Sequence, residues 1–433
     1  MVTATIRRRE SPKPEERSMN ANLRKVLLAA TMIGAAQSAF ANVITDWDEK
    51  AVAVVTPMSS LGGTSPYLAV RMMGMVHAAM FDAVNSIEQR YRPYLVQLPG
   101  DPATSKEAAA AAAAATILAT IDAKTAGEMK AALATYLATL PDGPAKSDGI
   151  ALGETVAAKV IEARANDGCD VLDAYRPRTT SGVYVPTAIT LSSMWPDMKP
   201  FAIARGSQFR PKPPIALESK EWATDFNELK DYGGKISTKR AAQQTETALF
   251  WTSPLLAYQP LVRQLVTAKQ MGVVDSARFM ALEAVALNDA VIAVLDAKYH
   301  YNFWRPITAI RNGDIDGNPA TDSEATWQPM ANTPMHPEYP CSHCIQSGSV
   351  AAVVKAVLGG VDIPEVALTS PATPGVTHRW TNMTAFTEEI ANARIWAGFH
   401  YRFSTRVGTL MGYEIGEYVV KNVMQPVSIA TTR

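Results

Sequence analysis

Cysteine is scarce in this chain. Three cysteines among 433 residues give no scope for a disulfide framework; Cys341 and Cys344 form a C-x-x-C and Cys169 stands alone. In an oxidising compartment the pair can close. Net charge is absent as well, with 41 basic against 41 acidic residues and a pI near 7.0. That balance leaves no basic footprint, so no nucleic-acid partner is expected. Beyond residue 41 no stretch reaches the ~18 to 20 apolar residues of a membrane span, so the mature chain is expected to have none. Strand-type alternation does not recur often enough for a sheet, which leaves a mainly α class.

The N-terminus reads as a targeting segment. Arg24 and Lys25 precede the apolar run Val26 to Ala36, and Ala39-Phe40-Ala41 places small residues at −3 and −1 of a signal-peptidase site. Residues 1–41 are therefore expected to be an upstream extension plus a signal peptide from about Met19 to Ala41. The mature chain would begin near Asn42 and be periplasmic or secreted.

Helical patterns fill most of the remainder. Tyr67 to Ile87 has an apolar side and carries His77 and Asp82, a pair read as structural. Thr104-x-x-Glu107 and Thr125-x-x-Glu128 look like capping boxes, the first opening the alanine run Ala108 to Ala115, whose lack of bulk suits close packing. A helix from Ala145 is expected to stop at Asp167-Gly168. Arg176 to Pro214 holds seven prolines and no helical period, and reads as a long ordered crossover, extended around Val183 to Leu191. Helices are then expected at Ser219 to Asp231, Lys239 to Trp251, after Pro254, Asp275 to about Trp304, Cys344 to Leu358, Thr387 to Phe403 and Thr405 to Val423.

Five of the six histidines (His300, His336, His343, His378, His400) lie in or beside three basic segments between Lys298 and His400. Such a concentration in a neutral protein suggests a pocket for a small oxyanion. In Lys-Tyr-His-Tyr-Asn-Phe-Trp-Arg-Pro, Lys298 and Arg305 are seven apart, nearly two full turns, and point the same way if the helix persists. In Tyr-Pro-Cys-Ser-His-Cys a helix is expected to start at Cys341 to His343, where free backbone N–H groups favour an anion; His343 is placed to move a proton there. In Ala-Arg-Ile-Trp-Ala-Gly-Phe-His, Arg394 and His400 are six apart on an expected helix, and His400 can act as nucleophile or ligand. A structural zinc at Cys341, His343 and Cys344 lacks a fourth ligand.

The order Lys-x6-Arg-Pro, then Pro-x-x-His, then Arg-x5-His resembles the signature of the superfamily that contains vanadium-dependent haloperoxidases, bacterial acid phosphatases and type 2 phosphatidic acid phosphatases. His336-Pro337-Glu338-Tyr339-Pro340 and His-Ala-Ala-Met-Phe-Asp-Ala-Val-Asn (77–85) are similar to its soluble haloperoxidase-like branch. The resemblance implies an all-α fold of two packed four-helix-type bundles, at 42–175 and 216–433 with the crossover 176–215 between them. It implies vanadate as cofactor, bonded axially by His400. Lys298, Arg305, Cys341, Ser342, His343 and Arg394 would hold its oxygens, and His343 and His400 would be catalytic. Halide, hydrogen peroxide and a small organic acceptor would be the partners, and a homo-oligomer is left open. The alternative is a secreted acid phosphatase working on a phosphate ester through a phosphohistidine at His400, with no cofactor. A minor alternative is a non-catalytic oxyanion-binding or thiol-redox protein with a Cys341–Cys344 disulfide. Three positions depart from the family pattern: Cys341 stands for Ser, Ser342 for Gly, and Ser404 for the Asp that orients the second histidine. A Cys341 thiol donates hydrogen bonds weakly, a thiolate there would repel an oxyanion, and Ser404 is expected to leave His400 without an anionic acceptor and at most to cap the last helix. Anion binding is on this basis better supported than peroxidase turnover.

Overall fold

The computed structural model describes residues 42–60, 65–252 and 258–427; the expected signal peptide lies outside the described residues. The described residues from Asn42 onward form one compact unit, and they are mostly helical, in agreement with the expected class.

The first half contributes α1 (Val43–Val55), α2 (Tyr67–Glu88), α3 (Lys106–Leu118), α4 (Ala123–Leu137) and α5 (Pro144–Arg164). The alanine helix α3 is buried from Ala108 to Ala114 and packs against α2 and α5, as its lack of bulk permits. Both expected capping boxes are displaced. Ser105, not Thr104, accepts the Ala108 N–H, and Asp122, not Thr125, caps α4. In each case the residue with extended backbone at the boundary takes the cap. His77 pairs with Asp48 of α1 at 3.0 Å rather than with Asp82, so its role is structural, with a different partner.

The second half supplies α6 (Lys220–Gly233), α7 (Ala242–Phe250), α8 (Tyr258–Ala268), α9 (Val273–Tyr301), α10 (Pro306–Arg311), α11 (Ser342–Leu358), α12 (Met383–Trp396) and α13 (Arg402–Asn422). α9 is buried along nearly its whole length and meets α2 on one side and α11 on another, which makes it the axis of the molecule. An antiparallel hairpin, β1 (Asp362–Thr369) and β2 (Thr377–Asn382), links α11 to α12. Sequence patterning missed it because the strands are short and much of their surface stays exposed.

Two buried aspartates fasten irregular chain onto this frame. Asp82 accepts the backbone N–H groups of Tyr94, Leu95 and Val96 at 2.7 to 2.9 Å. Asp289 of α9 does the same for Phe201, Ala202 and Ile203 at 2.7 to 2.8 Å. Burial pushes both carboxyls up to about 6, and the three N–H groups oppose the rise in each case. The proline-rich stretch is thereby held against α9. It pairs Val183 with Phe303, and its Leu191 N–H bonds to Met335 O at 3.0 Å.

Candidate active site

Lys298 lies in the last turn of α9, fully buried, with Nζ donating to the carbonyls of Pro337 (3.0 Å) and Glu338 (2.7 Å). The helix does not persist to Arg305. It ends at Tyr301 because Asn302 takes a left-handed conformation (φ 49°) and caps it, and Pro306 then opens α10. Arg305 therefore reaches the site from the residue preceding α10. Its Nε donates to His336 O (2.9 Å) and its Nη1 to Phe399 O (2.9 Å). Its two terminal nitrogens face His400 Nε2 (3.4 Å) and His336 Nδ1 (3.0 Å).

The second segment turns through a cis Tyr339–Pro340 bond into α11. Cys341 is the N-cap, and its sulfur is joined to Cys344 in a disulfide. The thiol and thiolate readings of Cys341 are thus overturned: a disulfide sulfur neither ionises nor donates. Unreduced, denatured protein is expected to titrate one thiol per chain, Cys169, and reduced protein three; a count of three without reductant would refute the bridge. Ser342 is buried and accepts from Gln346 Nε2 at 3.1 Å, while His343 is half-buried on the first turn. The first N–H groups of α11 have no carbonyl a turn earlier, so the helix start presents positive dipole where His343 stands.

Arg394 sits in the last turn of α12, its Nη1 donating to Trp251 O at 2.5 Å and its buried Nε without a partner among the described residues. His400 does not lie on the same helix. α12 stops at Trp396, and Gly398 adopts φ +79°, where a Cβ would stand 2.4 Å from Gly233 O. The chain reverses through this glycine, and the N–H groups of Phe399 and His400 fold back onto Arg394 O at 3.1 and 3.3 Å. A local turn, rather than helical phase, couples the cation to the histidine.

His400 does have an anionic acceptor, from a residue to which sequence reasoning gave no role. Glu338, fully buried, takes Nδ1 of His400 at 2.8 Å and the Tyr401 N–H at 3.1 Å on the same oxygen. Ser404 neither bonds His400 nor caps α13; its hydroxyl, short of good hydrogen-bond geometry, only helps favour the Glu338 charge. The carboxylate missing at 404 is supplied from 338. A signal was available: a glutamate between two prolines, inside a string with no exposed helix to solvate it. His336, to which the sequence pattern assigns no role either, lines the cavity beside Arg305. His300 and His378 drop out. His300 is exposed, and His378 stands on β2 against Glu389 (2.7 Å) and the Phe250 ring.

Three buried cations, Lys298, Arg305 and Arg394, thus converge with one carboxylate. Burial, then mutual repulsion, holds the Lys298 ammonium well below its usual range and brings Arg394 down to about 9. Burial raises Glu338 to about 7 against the pull of Lys298 and Arg305. His336, His343 and His400 are all held well below 6.5, by burial first and then by the neighbouring cations, and so stay neutral at neutral pH. Two contacts agree on the His400 tautomer: Nδ1 carries the proton toward Glu338, and the Nε2 lone pair faces Arg305 and the cavity. The excess positive charge, the unpartnered Arg394 Nε and the helix start fit a multiply charged oxyanion. Above them opens a cavity of about 910 Å³.

Residues 278–428, which hold all of these groups, match the family model described as the VCPO second helical-bundle domain. A vanadium chloroperoxidase from Curvularia inaequalis is 31% identical over 151 residues, covering 29% of this chain and 24% of that protein, so the match spans about a quarter of the relative's length. A bacterial vanadium-dependent iodoperoxidase structure superposes with a TM-score of 0.76 at 21% identity, covering 89% of this chain and 98% of that one. The holo-type structure of a bacterial vanadium-dependent chloroperoxidase gives 0.64 at 17% identity, covering 83% and 92%. At these identities the structures speak to the fold. Residues 278–428 are thus similar to the second helical bundle of vanadium chloroperoxidases, and the fold of the chain is similar to that of bacterial vanadium-dependent haloperoxidases.

Proposed function

We propose that this protein is a vanadium-dependent haloperoxidase-like enzyme that oxidises halide with hydrogen peroxide and passes the oxidised halogen to a small organic acceptor. The observation that carries the reading is the Glu338–His400 pair, which presents the Nε2 lone pair to a cradle of three buried cations. Lys298, Arg305 and Arg394 would hold the oxygens of vanadate, with the backbone at Ser342 and His343, and His400 Nε2 would be its protein ligand. When bound, vanadate supplies a Lewis-acidic centre that activates peroxide toward a halide nucleophile. The chain's own part is to keep the Nδ1 proton on the Glu338 side, to compensate negative charge from fixed positions, and to move protons at an imidazole nitrogen of His343. That imidazole is neutral before peroxide arrives, as a proton acceptor must be.

The disulfide fits an oxidising compartment, which supports export. No described helix is long and apolar enough to cross a membrane.

Orthovanadate, at about a hundredfold over its dissociation constant, is expected to stabilise the fold by about 2.7 kcal/mol and raise Tm by a few degrees. It should also confer peroxide-dependent bromide or iodide oxidation. His400→Ala is expected to abolish the oxidation and shrink the thermal shift. Hydrolysis of a generic phosphate ester, with no halide oxidation at any vanadate concentration, would make the protein a phosphomonoesterase instead.

A further inference from the structure

The cavity is larger than an oxyanion and a halide require. At about 910 Å³ it falls in the range of pockets that enclose organic ligands. Ile307, Leu191, Met330 and Phe399 give it an apolar wall, and no Asp or Glu contributes to the lining among the described residues. Two of its cations, Arg311 and Lys235, belong to no part of the cradle.

These two hang from one short stretch of chain. Arg311 Nε donates to Trp327 O at 2.9 Å, and the Lys235 N–H donates to the next carbonyl, Gln328 O, at 2.7 Å. Successive carbonyls thus fix both cations to the same part of the wall. Arg311 is half-buried and forms no ion pair among the described residues, so anchoring Nε leaves its two terminal nitrogens unpaired. An arginine steadied in this way offers a planar two-pronged donor, the geometry that matches a carboxylate. The Lys235 side chain is exposed beside it and adds charge without adding rigidity.

We propose that this cavity binds an organic anion, an apolar ring or chain bearing a carboxylate, whose acidic group pairs with Arg311 and Lys235 while its body lies along the Ile307 and Phe399 wall. Resting on the reading of the site as a haloperoxidase, the inference names the class of its organic acceptor. A neutral acceptor would gain only the apolar wall, and a cationic one would meet uncompensated positive charge.

The test compares 4-hydroxybenzoate with its neutral analogue 4-hydroxybenzyl alcohol by calorimetric titration at low salt, on full-length protein saturated with phosphate so that the cradle is filled. Wild type is expected to bind the carboxylate at least about tenfold tighter than the alcohol, equivalent to about 1.4 kcal/mol. Arg311→Gln and Lys235→Glu are each expected to bring the two ligands within about threefold, with binding of the alcohol unchanged. Lys235 is exposed, so its variant keeps the test valid if Arg311→Gln disturbs the Trp327 carbonyl it anchors. Equal affinities in wild type, a preference that survives both substitutions, or a preference that vanishes when phosphate fills the cradle would each overturn the proposal. Vanadate titration of wild type against His400→Ala examines the haloperoxidase reading separately. Failure there, with the carboxylate preference intact, would leave an anion-binding cavity over a site of different chemistry.

Discussion

Glu338→Gln is expected to lower kcat for halide oxidation by about 10- to 100-fold, the range seen when a partner behind a metal-ligating histidine is removed. Two effects compete in this variant. The amide oxygen can still accept the Nδ1 proton, but it no longer fixes the tautomer, and Nε2 becomes a weaker ligand. At the same time the cradle gains one net positive charge, which attracts an oxyanion more strongly. The second effect offsets the first in binding but not in turnover. Vanadate affinity should therefore change by less than about tenfold while kcat falls further. Glu338 is fully buried and holds both His400 and the Tyr401 N–H, so stability should fall as well, and the kcat comparison needs folded protein verified by circular dichroism. Adding Ser404→Asp to this variant returns a carboxylate near the vacated position and should recover part of kcat. Retention of kcat within twofold by Glu338→Gln would remove the orienting role assigned to this residue.

Gly412→Ala is expected to destabilise the protein by about 1 to 3 kcal/mol or more, the usual range for overpacking. α11 and α13 pass so close that a Cβ at 412 would stand 2.2 Å from Ile345 O and 2.8 Å from Ser349 N. Both are backbone atoms of α11, so no flexible side chain can swing aside, and the helices must separate. Alanine's better helix propensity, worth about 1 kcal/mol, works in the opposite direction and is outweighed. The same separation would shift His343 at the start of α11 relative to His400 just before α13, so activity should fall with stability. Gly127→Ala is the control, because nothing lies within 4 Å of its added Cβ; it should be neutral or slightly stabilising. Thermal unfolding in which Gly412→Ala matches wild type would show that the two helices are less tightly constrained than their backbone contact implies.

The residues that meet at the site were largely legible in the sequence; the means by which they meet were not. Lys298, Arg305, His343, Arg394 and His400 stood out because cations and histidines were concentrated in a chain of zero net charge, in an order that resembles a known signature. Helical phase was the wrong device for placing them. A left-handed Asn302 and a left-handed Gly398 interrupt the two helices on which it relied. Single residues that reverse the chain leave no trace in a period of 3.6. Glu338 was legible only as an unusual glutamate between two prolines; its partner lies 62 residues away, and no local pattern names a partner at that separation. The all-α class was readable, whereas the hairpin at 362–382 was not, because two short half-exposed strands carry too little alternation to stand out.

The disulfide at the start of α11 bears on durability. An enzyme that produces an oxidised halogen exposes its own walls to it, and thiolates are the most readily oxidised side chains at hand. Both sulfurs adjacent to the site are already joined to each other. The remaining thiol, Cys169, lines no part of the cavity, and burial raises its pKa and so suppresses the reactive thiolate. The sulfur-bearing residues that line the cavity are thioethers, Met330 and Met335, whose first oxidation step is enzymatically reversible. Under the proposed halide-oxidising activity, wear would therefore begin in the cavity wall, at sites that can be repaired, before it reached the groups of the cradle.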